Sequence, residues 1–216
     1  MVMPANDDPR PGEFWLDSAR GRIRVVYRAV EGATRALLAV GGTDGGLDGP
    51  ADALYPDLAE DLAAHGIASL RVDFRGRIAP GSVDEGIFDV LTGLEYLASE
   101  HGIQRVGLVG HSYGGAVVIA AAAQSPEVTT VATLAAQTAG AQPVVELAPR
   151  PLLLIHGLDD IRLSPDCSRL LYRMAGEPKR LVLLDGARHS LRQSREEVRT
   201  LLADWFVQTL TPDALP

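Results

Sequence analysis

The sequence predicts a single-domain α/β fold in which helices flank a mainly parallel sheet. The chain has 216 residues, a length that suits one domain with a substantial core. After a β-rich start, strand-like runs alternate with helical patterns. The runs "VGLVG", "PLLLIHG" and "RLVLLDG" are apolar throughout, which is typical of parallel strands buried on both faces. The sequence has no internal repeat and no obvious second domain.

Eight strands are predicted in chain order. The first three are "EFWLDSA", "RIRVVYRAV" and "RALLAV", and the fourth is "GIASLRVDF". The remaining four are "RVGLVG", "VTTVATLAA", "PLLLIHG" and "KRLVLLDG". The sheet should therefore be eight-stranded, with its later strands joined through helices.

Four helices are predicted between and after these strands. One follows the fourth strand, and two more cover residues 114–124 and 165–174. A last amphipathic helix closes the chain, and Pro212 is expected to end it. The apolar positions of the first and last of these helices are Ile87, Val90, Leu91, Leu94 and Leu97, and then Val198, Leu201, Leu202, Trp205 and Phe206.

The amino-terminal segment "MVMPANDDPRPGE" lacks the basic and apolar regions of a secretion signal. We interpret residues 1–12 as a flexible leader and residues 13–211 as the folded domain. Cys167 is the only cysteine, which excludes an internal disulfide and fits a reducing compartment. We therefore expect a cytoplasmic protein. The longest apolar stretch, 116–123, is much shorter than the roughly 18 residues of a membrane span.

The charge balance disfavours one class of partner. Twenty basic against 28 acidic side chains give 20 − 28 = −8, and no Lys/Arg-rich run is present. Binding to a phosphate backbone would face net repulsion, so nucleic acid is not expected as a partner. Nothing in the sequence indicates an oligomeric state.

The stretch "LVGHSYGGAVV" contains the pattern G-x-S-x-G, with Ser112 between a predicted strand and a predicted helix. Such a serine can be an ordinary helix N-cap in a Gly-rich turn. It can also be a nucleophile that a sharp strand-to-helix turn exposes. The second interpretation requires a histidine to accept the hydroxyl proton and a carboxylate to hold that histidine.

His189 is the candidate base among five histidines, because it lies in the loop between the last strand and the final helix. His65 and His101 each precede a glycine at a helix end, where a structural role is favoured. His156 lies in an apolar strand, where packing and hydrogen bonding are favoured. His111 is next to Ser112, but the turn should direct its side chain elsewhere.

The candidate acids are Asp159 and Asp160, in the loop after the strand "PLLLIHG". Taken together, "GHSYGG", "LLLIHGLDD" and "GARHS", in that order, resemble the α/β-hydrolase family, whose members carry Ser, Asp and His in this sequence order. "SLRVDFRG" is similar to the family's strand and Asp-x-Arg-Gly turn. The resemblance implies that Asp160, the third residue after the glycine of a His-Gly pair, is the acid, with Asp159 as the alternative.

The resemblance also implies an oxyanion hole made of backbone amides. One would be the amide of Tyr113, and the other would come from the loop "LLAVGGTDGG" after the third strand. Related enzymes commonly have His-Gly where this chain has Gly41-Gly42, which makes Thr43 the second donor and Gly42 the alternative. Asp44 would oppose the developing charge unless it faces solvent or pairs with Arg75, Arg77 or Arg162.

We therefore expect a serine hydrolase, resembling small carboxylesterases and dienelactone-hydrolase-like proteins, that forms an acyl-enzyme on a small-molecule ester or thioester. Thioesterase or peptidase activity is the alternative, and a non-catalytic binding protein is a third hypothesis. No metal, nucleotide or flavin cofactor is expected. Only about 15 residues, "QTAGAQPVVELAPRP", separate the sixth and seventh strands, so no cap domain is expected.

Overall fold

The computed structural model of the chain describes residues 10–75 and 82–211. They form one eight-stranded sheet with the strand order β1-β2-β4-β3-β5-β6-β7-β8. β2 is antiparallel to both β1 and β4, and every other neighbouring pair is parallel. The predicted helix-flanked, mainly parallel sheet is confirmed.

The elements are as follows. The strands are β1 (Glu13–Ser18), β2 (Gly21–Arg28), β3 (Arg35–Val40), β4 (Ala68–Asp73), β5 (Arg105–His111), β6 (Val128–Leu134), β7 (Leu152–Gly157) and β8 (Lys179–Leu184). The helices are α1 (Pro50–Ala63), α2 (Asp84–His101), α3 (Tyr113–Ala122), α4 (Asp166–Met174) and α5 (Arg195–Leu210). Two short 3₁₀ helices cover Gln142–Glu146 and Arg192–Ser194.

α1 was not among the predicted helices. Pro56 lies inside this helix, and residues 51–53 in its first turn have positive φ values of 54°, 54° and 65°. Non-glycine residues rarely adopt this left-handed conformation, so no propensity rule indicates it. The helical spacing of Leu54, Leu58 and Leu62, all buried, was the available signal.

The predicted bounds of the leader and the domain stay a prediction. α5 ends at Leu210, and Pro212 lies outside the described residues. Residues 1–9 of the predicted leader also lie outside them. At its described end, the Gly12 carbonyl accepts a hydrogen bond from the Tyr27 amide at 2.9 Å.

The sheet separates two apolar cores. Alternate residues of the central strands face opposite sides, so Leu38 and Leu108 belong to one core while Leu37 and Val109 belong to the other. The first core is packed by α2, α3 and α4, and the second by α1 and α5. All ten residues of α3 are buried, which explains its continuously apolar sequence.

The parallel strands bring their carboxyl ends to one edge of the sheet. Ser112 follows β5 directly, Asp160 follows β7 by three residues, and His189 follows β8 by five. Loops at this edge are where α/β sheets place their ligand sites. Among the described residues, no helix combines the length and the apolarity needed to cross a membrane.

Candidate active site

Ser112 lies in a strained turn between β5 and α3. Its φ of 55° and ψ of −113° lie outside the conformations that a non-glycine residue normally adopts. Such strain costs about 1–3 kcal/mol and persists only where the surroundings hold it. The Ser112 amide donates to the Leu134 carbonyl at 2.8 Å, which fixes the turn to the end of β6. Its side chain makes no N-cap hydrogen bond, so capping is not what the hydroxyl does here.

The two glycines of the G-x-S-x-G pattern allow close approach of backbones. A Cβ atom on Gly110 would lie 2.1 Å from the Gly114 carbonyl oxygen. A Cβ atom on Gly114 would lie 2.1 Å from the carbonyl oxygen of Gly41. No side chain fits at either distance, so both positions require glycine. The turn therefore packs directly against the loop that follows β3.

The structure brings Ser112, His189 and Asp160 together. His189 Nε2 lies 3.1 Å from Ser112 Oγ, within hydrogen-bond distance. On the other side of the ring, His189 Nδ1 lies 2.7 Å from Asp160 Oδ2. The carboxylate can only accept, so Nδ1 carries the proton and Nε2 is free to accept the hydroxyl proton of Ser112. This is the arrangement that activates a serine in known triads.

Asp160, and not Asp159, contacts the histidine. The Asp160 side chain is 0% exposed, and its Oδ1 accepts from the amides of Arg162 at 2.8 Å and Leu163 at 3.0 Å. Burial alone would raise the pKa of Asp160, but these amides and His189 more than offset it and hold the pKa below the usual value. The Asp159 residue is exposed, and its amide donates to the Ala187 carbonyl.

His111 belongs to the site, so the expectation that the turn directs its side chain elsewhere is wrong. Its Nε2 lies 2.9 Å from the backbone carbonyl oxygen of His189, and the two ring centroids are 4.9 Å apart. A carbonyl only accepts, so His111 Nε2–H is the donor. Burial lowers the pKa of His111 to about 4, so this ring is neutral at pH 7. The contact joins residues 78 positions apart, and no local sequence pattern indicates it.

The loop after β3 lies against Ser112. It folds back through a hydrogen bond from the Gly45 amide to the Gly42 carbonyl at 3.0 Å. Asp73, from the Asp-x-Arg-Gly segment, accepts from the Gly46 amide at 2.6 Å and anchors the loop to the end of β4. Within residues 10–75 and 82–211, the amides of Thr43 and Tyr113 donate no hydrogen bond to the protein. Both amides are thus free to bind an oxygen of a ligand.

A cavity of about 150 Å³ opens over Ser112 and His189. Thr43, Asp44 and Arg162 contribute to its lining. Arg75 instead forms ion pairs with Asp89 and Glu85. Arg77 lies outside the described residues, and no arginine in the described part of the chain comes within 4.0 Å of the Asp44 carboxylate. Asp44 is instead exposed, which is the solvent-facing alternative.

The connection between β6 and β7 carries no cap domain in the described chain. Its only helix is the 3₁₀ helix Gln142–Glu146. Val144 of this helix and the flanking residues Ala141 and Leu147 are buried in the first core. Within the described residues, this connection places no cap over Ser112. Among the described side chains, no group of three or more His, Cys, Asp or Glu residues could hold a metal ion.

Known proteins resemble this chain in sequence and in fold. The family model "Serine aminopeptidase, S33" matches residues 52–150. A curated relative from Escherichia coli O157:H7, "Uncharacterized protein YfhR", is 32% identical over 109 residues. That match covers 40% of this chain and spans only 38% of the length of the relative.

Solved structures match nearly the whole chain. Dienelactone hydrolase from Anabaena variabilis superposes with a TM-score of 0.80 at 22% identity, covering 93% of this chain and 99% of the other. The esterase domain of a Rhodothermus marinus protein gives a TM-score of 0.72 at 22% identity, covering 92% and 98%. The chain has the α/β-hydrolase fold.

The neutral state of His111 predicts a loss of stability in acid. An imidazole titrates near 6.5 when unfolded, whereas the folded pKa of His111 is about 4. As the pH falls, the unfolded chain therefore binds this proton before the folded protein does. The stabilisation that neutral His111 gives the folded protein is complete above pH 6.5 and is lost as the pH falls through about 4. At pH 5, His111 alone should lower the free energy of unfolding by about 2 kcal/mol relative to pH 7.

Urea unfolding of the wild type and of His111→Gln at pH 7 and pH 5 measures this effect. Glutamine can still donate to the His189 carbonyl but does not titrate, so the variant should lose less stability between the two pH values. His156 and the carboxylates are common to both proteins and cancel in the comparison. An equal loss in both proteins would contradict the assignment.

Proposed function

We propose that the protein is a serine hydrolase that cleaves carboxylic esters through an acyl-enzyme, with Ser112 as nucleophile, His189 as base and Asp160 as the orienting acid. The observation that carries the proposal is the unbroken path from Ser112 Oγ to His189 Nε2 at 3.1 Å and from His189 Nδ1 to Asp160 Oδ2 at 2.7 Å. We assign the activity to residues 13–211. A cytoplasmic location stays a prediction from the sequence.

The proposed reaction proceeds in two halves. In the first, Ser112 Oγ attacks the ester carbonyl carbon while its proton passes to His189 Nε2. The ester C–O bond then breaks, and the imidazolium returns that proton to the departing alcohol. In the second half, water loses a proton to His189 and attacks the acyl-enzyme, which releases the acid and restores Ser112. The buried Asp160 carboxylate stabilises the imidazolium at each step.

The oxyanion formed at each attack requires donors placed in advance. We assign this role to the backbone amides of Tyr113 and Thr43. Thr43 lines the cavity, Tyr113 directly follows Ser112, and neither amide donates elsewhere among the described residues. Removing one such donor in other enzymes costs about 2.7–4 kcal/mol of transition-state stabilisation. Gly42 is the alternative second donor, since a Cβ atom there would lie only 3.5 Å from Ser112 Cβ.

The shape of the site favours small or extended acyl substrates. A cavity of about 150 Å³ holds the reacting group and little more, and no cap encloses the remainder in the described chain. The rest of the substrate would therefore lie along the open surface. Two solved structures of this fold are described as a dienelactone hydrolase and an esterase domain, which supports an ester substrate.

Peptidase activity is the second candidate, because the matching family model is described as a serine aminopeptidase. Thioesters use the same machinery and form a third substrate class. A binding protein without catalysis would carry the same fold, but it would not need a free imidazole nitrogen beside a strained serine.

Covalent labelling separates the enzyme from the non-catalytic binder. The wild type should react with a fluorophosphonate probe, and Ser112→Ala should not. Asp160→Asn should lower kcat by about 10⁴-fold, since the amide can no longer hold the reactive tautomer of His189. Asp159→Asn is the matched control and should stay within about threefold of the wild type, because Asp159 is exposed and Asp160 makes the contact.

The measurements are probe incorporation by mass spectrometry and ester turnover by steady-state kinetics. A folded wild type that takes up no probe would favour the binder. A larger loss in Asp159→Asn than in Asp160→Asn would transfer the acid role to Asp159.

A matched acyl series ranks the substrate classes. One acyl group is presented as an oxygen ester, a thioester and an amide, and kcat/KM is measured for each with purified protein. We expect the oxygen ester to be the preferred substrate. A hundredfold preference for the thioester, or hydrolysis of the amide alone, would overturn the ester proposal in favour of that class.

A further inference from the structure

A second histidine contacts the carboxylate of Asp160. His156 lies in β7, and its side chain is 0% exposed. Its Nε2 lies 3.2 Å from Asp160 Oδ2, the same oxygen that His189 contacts, and 3.0 Å from the Leu163 carbonyl oxygen. Its Nδ1 lies 2.7 Å from the hydroxyl oxygen of Ser168, a buried residue of α4.

The partners of His156 determine where its proton lies. A carboxylate and a carbonyl both accept, so Nε2 carries the hydrogen and is shared between them. Burial keeps the pKa of His156 below its usual value, although the Leu163 carbonyl and Asp160 act in the opposite direction. The ring is therefore neutral at pH 7, which leaves Nδ1 as an acceptor for the Ser168 hydroxyl. Each hydrogen bond of His156 therefore has one donor and one acceptor.

The loop that carries Asp160 needs this support. Its neighbours Asp159 and Ile161 are exposed, with Ile161 at 99%, so Asp160 is the buried residue between them. The amides of Arg162 and Leu163 hold Oδ1 of Asp160, but the carboxylate could still pivot about that oxygen. Hydrogen-bond donors to Oδ2 are needed to fix the orientation of the carboxylate. Solvent does not reach the carboxylate, so water cannot replace a donor that is lost.

We propose that His156 is a positioning residue, held by Ser168, that fixes Asp160 Oδ2 toward His189 Nδ1. The inference rests on the proposed function, since it assigns His156 a part in the same site. His156 acts through Asp160 and does not contact the reacting atoms. Its loss should therefore lower kcat and leave KM nearly unchanged.

Two substitutions of the same residue test the proposal. The Gln side chain of His156→Gln places its amide nitrogen near the position of Nε2, so it can still donate to Asp160 Oδ2. The Asn side chain of His156→Asn places its amide near Nδ1, where it meets Ser168 and not Asp160. We expect His156→Gln to keep kcat within about threefold of the wild type and His156→Asn to lose at least about tenfold, with KM within about twofold for both. His101→Gln and His101→Asn are the controls, because His101 is exposed and bonds Tyr96 away from the site.

Nuclear magnetic resonance supplies a readout independent of turnover. The ¹⁵N shifts of the His156 imidazole should report the Nε2–H tautomer in the wild type. The low-field proton of His189 Nδ1–H, assigned through His189→Gln, should persist in His156→Gln and move upfield or exchange away in His156→Asn.

Equal kcat values in the two His156 variants would overturn the proposal. So would a His189 Nδ1–H signal that is unchanged in His156→Asn, or a His156 tautomer protonated at Nδ1 in the wild type. Should both variants fail to fold, the tautomer in the wild type decides it. A wild type that hydrolyses no ester would refute the proposed function, whereas the resonances would still decide the role of His156.

Discussion

The hydrogen bond between His189 Nδ1 and Asp160 Oδ2 is the contact on which the geometry of the site depends. It joins the loops that follow β7 and β8, two parallel neighbours in the sheet, so strand pairing already brings the two loops close. Two hydrogen bonds also hold the backbone of the His189 loop. The Ser190 carbonyl accepts from the Ala51 amide at 2.9 Å, and the His189 carbonyl accepts from His111 Nε2. The imidazole is thus held at both its ring and its backbone before any ligand binds.

The buried charge that contacts His189 is the carboxylate of Asp160. Asp160 stays ionised in a buried position because two amides and His189 stabilise its charge. The rings of His111 and His156 are neutral at pH 7, so neither adds a positive charge that would repel the imidazolium proposed for His189. A buried ion of this kind is stable only when every lone pair has a partner, which explains the dense hydrogen bonding around the carboxylate.

Much of the fold could be predicted because the buried parallel strands are apolar throughout. Ser112 and Asp160 follow such strands, whereas His189 follows β8, an apolar edge strand in which only Leu184 is fully buried. α1 was missed because its first turn is left-handed at residues 51–53, a conformation that depends on contacts with the His189 loop. The contact of His111 with His189 depends on tertiary structure and has no local signal. The sequence left open whether Thr43 or Gly42 is the second oxyanion-hole donor. Both lie in a loop that is anchored by Asp73 of another strand.

The most direct test of the proposed site is a crystal structure of the protein after reaction with a p-nitrophenyl phosphonate, which mimics the tetrahedral intermediate. We predict a bond from phosphorus to Ser112 Oγ and a phosphoryl oxygen about 2.7–3.1 Å from the backbone amides of Tyr113 and Thr43. His189 Nε2 should face the position of the departed group. Phosphorus bonded to another residue, or a phosphoryl oxygen turned toward solvent and away from both amides, would contradict the account.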